Sequence, residues 1–317
     1  MCESESRLLE VYCPHCGVIN RSDRAFCLRC KRRLFPLTKL DLELDDFVYP
    51  GDRTNLSVIE EAGWLPAFVA AQRIRGKEVA LREHLSRSAQ RVENHSLLDA
   101  KMRTCGDRLG LARLPEAYVV TSPMANAAVM GTERSPIFMI TAAALQLMTE
   151  KELEMLVAHE LAHIKSRHML YHTAAESIAA GGSIVASLLG MGMVAYPLQI
   201  SLLAWHRESE ITADRAALLL GRGDVKVFTS MLTKTLLYNG GEGSGSVLSE
   251  LFLTHPEHQR RIALAREFCS SPEYARSRDK LDRREKRAGE NAPNCTSCGA
   301  PRQPRANFCG RCGKSLK

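Results

Sequence analysis

The sequence has few aromatic side chains and, along most of its length, no excess of one charge. Only 6% of the 317 residues are Phe, Trp or Tyr, and 25% are charged, which is ordinary for a globular protein. The formal net charge is +7, but six basic side chains against one acidic fall in residues 11–36, and five against none in 293–317. This distribution excludes a uniformly basic nucleic-acid-binding protein and predicts two small basic modules.

The first dozen residues lack the apolar stretch of a secretory signal peptide. We therefore expect a reducing, cytoplasmic environment in which the eleven cysteines are thiols. Three of them, Cys2, Cys105 and Cys269, have no partner at a metal-binding spacing and are expected to be packed or exposed thiols.

The other eight cysteines form four C-x-x-C pairs, two near each end of the sequence. Two such pairs supply the four thiolates of a tetrahedral structural zinc site. The two ends repeat each other at an offset of 282 residues and resemble zinc ribbons. We predict one structural zinc ion in each, bound by Cys13, Cys16, Cys27 and Cys30 in one ribbon and by Cys295, Cys298, Cys309 and Cys312 in the other.

A module this small needs its metal in order to fold, so the plain interpretation of each ribbon is a structural and protein-binding unit. Nucleic-acid binding stays open as the weaker alternative, because few aromatic side chains are available for base stacking. We expect the ribbons to recruit substrate or a protein partner.

A capped helix in the centre of the chain carries a metal-binding motif. Thr149 and Glu152 form a capping box, and the apolar spacing that follows predicts a helix over 150–171. Two histidines one turn apart, with a carboxylate beside the first, are the arrangement that binds zinc and activates water. These residues are His159, Glu160 and His163.

A solvated helix face that happens to carry two histidines is the alternative interpretation. His168 and His172 are also four apart but lack the glutamate, so we interpret them as surface or core residues. Catalytic zinc sites need a third protein ligand. A predicted helix over 204–220 offers Glu210 as that ligand and Asp214, one turn later, as a hydrogen-bond partner for a zinc-bound histidine.

With these motifs the sequence resembles the HtpX-like zinc endopeptidase family, which also contains the CAAX prenyl proteases. The family pairs H-E-x-x-H with a downstream E-x-x-x-D, although Ser209 stands where it often has Arg. The resemblance covers about residues 60–268. It implies an α+β, mainly α, gluzincin-type metallopeptidase domain with a small edge-strand sheet and one catalytic zinc.

The same resemblance implies roles for further residues. An Asn-Ala-rich segment precedes the metal helix, and Asn126 and Ala127 would bind substrate backbone as an edge strand. Downstream, His255 in a Thr-His-Pro segment would stabilise the oxyanion, and Arg261 would order the site. Glu257 stands where the family's segment has its second proline, so we expect the local turn to differ.

Residues 178–205 contain no charged side chain and are long enough to cross a bilayer. A single crossing would place His159 and Glu210 about 30 Å apart, whereas ligands of one zinc lie about 2 Å from it. We therefore predict a buried helical hairpin and no transmembrane span, with shallow membrane contact left open.

The predicted organisation has five parts. They are a zinc ribbon at 11–36, an acidic connector at 37–59, the metallopeptidase domain at 60–268, a charged linker at 269–292 that is an exposed helix or a flexible tether, and a second ribbon at 293–317. The predicted function is zinc-dependent endopeptidase, with Glu160 as general base acting on protein or peptide substrates. The alternative is a catalytically silent zinc-ribbon adaptor that binds protein or nucleic acid.

Overall fold

A computed structural model describes most of the chain. The described residues are 10–22, 24–38, 40–61, 79–93, 96–132, 135–169, 192–239 and 255–289. The second predicted ribbon, with Cys295, Cys298, Cys309 and Cys312, lies outside the described residues.

The described residues are mainly helical, with one small mixed sheet and a short hairpin, which confirms the predicted fold class. The strands are β1 (Glu10–Tyr12), β2 (Ile19–Arg21), β3 (Gln90–Arg91), β4 (Glu116–Val120), β5 (Ala127–Thr132) and β6 (Ser135–Thr141). The helices are α1 (Pro50–Glu61), α2 (Leu97–Arg108), α3 (Ala142–Leu147), α4 (Glu150–Lys165), α5 (Gly192–Leu220), α6 (Val225–Asn239), α7 (His255–Cys269) and α8 (Pro272–Gly289), with a 3-10 turn at Leu44–Asp46.

The four-stranded sheet has the order β3-β4-β6-β5. β4 and β6 are parallel, and β5 pairs antiparallel with β6, so β5 forms one edge. The inner face of the sheet packs into the main core through Ala117, Phe138 and Ile140. This packing places the edge strand beside α4.

Helix α4 begins as predicted, because Thr149 accepts from the main chain of Glu152 and Glu152 accepts from that of Thr149. It ends at Lys165 rather than at residue 171, which corrects the predicted helix. Arg167 adopts a left-handed conformation (φ 62°), and the His168 N–H donates to the His163 carbonyl, as in a helix-ending Schellman turn. The chain therefore turns back onto the helix at His168.

The predicted hairpin at 178–205 is described only from residue 192 onward. That part is the start of α5, one continuous helix that packs along α4 and carries Glu210. None of the helices in the described part of the chain combines the length and the apolar character needed to cross a membrane.

The first ribbon packs directly on the helical domain. The Phe26 ring lies in the main core, and Arg33 donates to the Leu111 carbonyl (2.8 Å) and the Asp107 carboxylate (2.8 Å). The main-chain N–H of Arg33 also donates to the carbonyl of Ala112 (2.9 Å). These contacts place the ribbon against α2 and the loop that follows it.

The predicted charged linker is a helix, but it is neither exposed along its length nor a free tether, which corrects that expectation. In α8, Leu281 is buried in the main core, and Arg284 donates to Asp41 (2.7 Å). Ser277 donates to the main-chain carbonyl of Asp46 (2.7 Å). The helix therefore ties the predicted connector to the domain.

Candidate active site

The two histidines of the central motif lie on the buried face of α4. His159, Glu160 and His163 are 5%, 8% and 3% exposed. Since α4 is enclosed by α2, α5, α6 and the edge strand, these polar groups sit where only specific partners or an ion can satisfy them. The solvated-face interpretation of the motif is therefore wrong.

Three side chains converge on one point between α4 and α5. Nε2 of His159 lies 3.3 Å from Oε2 of Glu210, Nε2 of His163 lies 3.4 Å from Oε1 of Glu210, and the two Nε2 atoms are 3.3 Å apart. A tetrahedral ion with bonds of about 2.0–2.1 Å separates its ligands by roughly 3.3–3.4 Å. The triangle thus fits a zinc ion in both size and ligand chemistry.

A carboxylate and a guanidinium support this triangle from one side. Nδ1 of His159 lies 3.0 Å from Oδ1 of Asp214. Arg261, on α7, donates two hydrogen bonds to Asp214 (2.6 and 2.7 Å) and places Nη1 3.2 Å from Oε2 of Glu210. Although burial alone would raise the pKa of Asp214, Arg261 and His159 hold that pKa below its usual value.

A second polar chain approaches His163, and sequence reasoning missed it. Nδ1 of His163 lies 2.9 Å from Nδ1 of His168, and Nε2 of His168 lies 3.0 Å from Oδ2 of Asp52. Burial lowers the pKa of His163 to about 4, so its ring is neutral, as a metal ligand must be. Asp52 is 116 residues from His168, and no local spacing could have linked them.

Glu160 lies beside the triangle and contacts the edge strand. The main-chain N–H of Val129 donates to its carboxylate, while burial raises the pKa of Glu160 to about 8. A divalent cation at the three neighbouring ligands would lower that pKa again. The side chain can therefore exchange a proton near neutral pH.

The triangle opens into a cavity of about 420 Å³. One wall is the edge strand from Asn126 to Met130, and an apolar floor comes from Leu156, Met231 and Leu232. A cleft with an apolar floor and a few convergent polar groups is the usual form of a substrate site.

The hydrogen-bond pattern shows which strand groups face the cleft. The Thr141 N–H donates to the Asn126 carbonyl (2.9 Å), and the Asn126 N–H donates to the Thr141 hydroxyl (3.1 Å), so Asn126 turns its main chain toward β6. Because this direction alternates along a strand, Ala127 and Val129 turn theirs away from β6. Pro136, which has no N–H, stands opposite Gly131, also in the outward-facing set.

The two downstream residues implied by the resemblance differ in outcome. Arg261 lies in the site, whereas the side chain of His255 lies outside the described part, although α7 begins at that residue. His258, one turn later, lines the cavity, and its buried Nδ1 has no hydrogen-bond partner among the described residues. The spacing from His255 to His258 was visible in the sequence but carried no motif.

The four cysteines of the first ribbon converge in the same way. Sγ of Cys13 lies 3.6 Å from Sγ of Cys30, and the same distance separates Cys16 from Cys27. Zinc–sulfur bonds of about 2.3 Å give ligand separations of roughly 3.8 Å, so the cluster fits a structural zinc. Burial works against it, but main-chain N–H groups of neighbouring residues lower the pKa of Cys27 to about 6, which favours the thiolate that binds metal.

Comparison with known proteins gives a consistent set of matches. The model of Peptidase family M48 matches residues 92–268. The chain is 32% identical over 208 residues to "Plastoglobule-localized metallopeptidase 48, chloroplastic" of Arabidopsis thaliana, covering 64% of this chain and 59% of that protein. It is 34% identical over 118 residues to "Protease HtpX homolog" of Pelotomaculum thermopropionicum (36% and 41%), and 26% identical over 252 residues to that of Salinibacter ruber (65% and 88%). No solved structure matches the chain.

Proposed function

The chain belongs to peptidase family M48, and from this membership we propose that it is a zinc-dependent endopeptidase. The observation that carries the proposal is the triangle of His159, His163 and Glu210, with sides of 3.3–3.4 Å, that opens into the cleft beside Glu160. The chain spans 59% and 41% of the first two relatives, so their activities do not transfer to it by similarity alone.

The metal ligands of the proposal are the three members of that triangle. Zinc bound there would supply a Lewis acid that polarises a carbonyl and lowers the pKa of water toward neutrality. Asp214 orients the His159 ring, and Arg261 fixes Asp214 and balances the charges of Asp214 and Glu210. His255 keeps the oxyanion role that the resemblance implies, and its side chain lies outside the described part; His206 and His258 also line the cleft.

Glu160 is the proposed general base. Its carboxylate takes the proton from water as the oxygen attacks the peptide carbonyl, and then gives that proton to the leaving amine. The Val129 N–H holds the carboxylate beside the strand on which the peptide lies. Proton transfer and substrate positioning therefore meet at the same edge.

Substrate binds, in this proposal, as an added strand along β5. The main-chain carbonyls of Ala127 and Val129 face the cleft, whereas the main chain of Asn126 is bonded to Thr141. The Asn126 side chain instead accepts from the Ala127 N–H (2.9 Å) and shapes the end of the edge. The substrate class is an extended segment of protein or peptide.

The two ribbons have different proposed roles. The first is a structural part of the enzyme, because Phe26 and Arg33 anchor it to the core. Recruitment of substrate or a protein partner is assigned to the second ribbon, at residues 293–317, and nucleic acid remains its alternative ligand. With both ribbons and the catalytic site filled, the chain would hold three zinc ions.

For location, the proposal is the cytoplasm, with peripheral membrane contact as its alternative. The Arabidopsis relative is described as plastoglobule-localized, which gives the alternative weight. Cell fractionation decides between them. Protein in the supernatant supports the proposal, and protein that sediments with membranes and is released by high salt or an alkaline wash supports peripheral contact.

The decisive experiment compares Glu160→Gln with the unchanged chain on an unstructured test peptide. Glutamine keeps size and hydrogen bonding but cannot act as a base, so hydrolysis should fall by about 10²- to 10⁴-fold. Zinc content should stay at about three per chain, since Glu160 is not a ligand. The control is Glu150→Gln on the same helix, where the side chain is 72% exposed and activity should not change.

Metal analysis separates the enzyme from a silent adaptor. Replacing both His159 and His163 by Ala should remove one zinc per chain and all hydrolysis. An unchanged zinc content in this double variant, or full activity of Glu160→Gln, contradicts the proposal.

A further inference from the structure

Asp52 is a buried carboxylate that the proposed chemistry does not use. It is 2% exposed and lies in the first turn of α1, 40 residues before the part of the chain that matches the family. Its Oδ1 accepts from Trp205 Nε1 (2.7 Å), and its Oδ2 accepts from the Thr212 hydroxyl (2.6 Å) and lies 3.0 Å from His168 Nε2. A buried carboxylate with three polar partners is a specifically stabilised part of the fold.

The hydrogen positions in the series Asp52–His168–His163 follow from the chemistry of Asp52 at one end and of the metal ligand His163 at the other. Asp52 is an ionised carboxylate that accepts hydrogen bonds, because its donors hold its pKa below the usual value even though burial alone would raise it. His168 therefore donates from Nε2 and accepts at Nδ1. The partner at 2.9 Å, Nδ1 of His163, must then carry its proton, which leaves the Nε2 lone pair of His163 facing the triangle.

We propose that His168 and Asp52 are positioning residues for the catalytic metal, holding His163 in the tautomer and orientation in which Nε2 binds the ion. The proposal rests on the zinc site of the proposed function. A ligating histidine commonly donates its second ring N–H to such a partner, and loss of the partner weakens metal binding about 10- to 100-fold. Here the carboxylate acts through an intervening imidazole.

The residues that orient the two histidine ligands therefore come from different parts of the sequence. His159 faces Asp214, within the family match, whereas His163 depends on a helix upstream of it. Helix α1 is fixed against α5, because the Tyr49 N–H donates to the Thr212 hydroxyl (3.0 Å), which itself donates to Asp52. A Cβ on Gly51 would lie 2.5 Å from Glu208 Oε2, so a larger residue could not take this place without a shift.

The test is competition between the full chain and a chelator for Zn²⁺, followed across four variants. His168→Leu should weaken the catalytic site, identified as the one lost in the His159→Ala/His163→Ala chain, by about 10- to 100-fold. His168→Asn, whose amide oxygen can accept from His163, should recover part of that loss. Asp52→Asn should weaken binding by about tenfold.

The matched control is Asp41→Asn, a carboxylate with the same 2% exposure whose partners, Arg284 and Thr38, lie away from the metal. It should leave zinc affinity unchanged. Co²⁺ substitution gives a second readout, because an altered His163 orientation changes the visible spectrum while a general loss of stability does not.

The outcomes separate the two proposals. If the double histidine variant retains its zinc, the proposed function fails. If that variant loses one zinc but His168→Leu and Asp52→Asn bind Zn²⁺ as the unchanged chain does, the positioning role is overturned. If His168→Leu does not fold, Asp52→Asn decides, since it preserves shape, and affinity equal to that of Asp41→Asn overturns the role.

Discussion

Arg261 lies between two carboxylates that serve different purposes in the proposed site. It forms a bidentate pair with Asp214 and a single contact with Glu210, and its own side chain is 11% exposed. A guanidinium is suited to this place, since its planar fork reaches both groups and stays charged when buried. Without it, two carboxylates would face each other in the protein interior.

Removal of Arg261 should therefore destabilise the fold strongly. We expect Arg261→Ala to lower the free energy of unfolding by about 3–5 kcal/mol, because it leaves buried negative charge uncompensated. Urea unfolding measures this change. The neighbouring Arg260, paired with Glu208 and 37% exposed, offers the control, and Arg260→Ala should cost only about 0–1 kcal/mol. Equal effects from both variants would refute the account.

At the scale of elements, α4 depends on how it begins and where it ends. The capping box at Thr149 is joined to α6 by Lys234, which donates to Oε2 of Glu152 (2.7 Å) and to the Leu147 carbonyl (3.0 Å). At the other end, the left-handed Arg167 turns His168 inward. Both ends of the metal-binding helix are therefore fixed by specific contacts.

The pKa of Glu152 predicts how the stability contributed by the N-terminal cap of α4 changes in acid. Burial alone would raise it, but Lys234 and the cap lower the pKa from 4.5 to about 2. A lowered pKa in the folded state stabilises the fold above the unfolded value, and this contribution is lost as the pH falls from about 4.5 toward 2.

Glu152→Gln should thus cost about 1.5–3 kcal/mol near neutral pH, through the lost charged hydrogen bonds, and less in acid. Urea unfolding of variant and unchanged chain at pH values of about 7 and 3.5 tests this difference. Glu150→Gln, in the same turn but exposed, should change neither value. A difference in the free energy of unfolding between Glu152→Gln and the unchanged chain that stays constant with pH would contradict the lowered pKa of Glu152.

The sequence predicted the elements whose signals are local. The cap at Thr149, the histidines four apart and the pair of Glu210 and Asp214 are each written within one or two helical turns, and the structure places them where the pattern indicated. The predicted end of α4 was wrong, because the spacing of apolar residues does not indicate which residue adopts a left-handed conformation. His168 was open between surface and core for the same reason.

Contacts between distant segments could not be predicted. The bond from Trp205 to Asp52 spans 153 residues, and that from Arg284 to Asp41 spans 243. Such pairs have no characteristic spacing, so the charges of α8 looked like a solvated linker and those before α1 like a connector. Instead, Arg284 and Lys280 of α8 pair with Asp41 and Asp46 of the segment before α1.

For the whole molecule, the first ribbon and the helical domain share one core. Phe26 packs with the core beneath the Arg33 guanidinium, whose carbon lies 4.9 Å from the ring centre, and Gly106 on α2 lies against the same ring. Two domains that share a core unfold together. Unfolding of the ribbon should therefore also destabilise α4.

Phe26→Ala tests this coupling. It should lower the free energy of unfolding by about 3–5 kcal/mol, the usual cost of an aromatic cavity. Unfolding should be followed by the fluorescence of Trp205, which is buried in the helical domain, in a Trp64→Phe background. Tyr12→Ala, on the same ribbon but 72% exposed, should change stability by at most about 0.5 kcal/mol. An unchanged Trp205 transition in Phe26→Ala would show that the ribbon is independent.

The clasp between α8 and the segment before α1 also sets an order of events during synthesis. Asp41 is synthesised 243 residues before its partner Arg284, and Asp46 is synthesised 234 residues before its partner Lys280. Domains that need late segments complete their folding only after those segments have been made. A nascent chain that already carries α4 and α5 would therefore lack these ion pairs until α8 has been made.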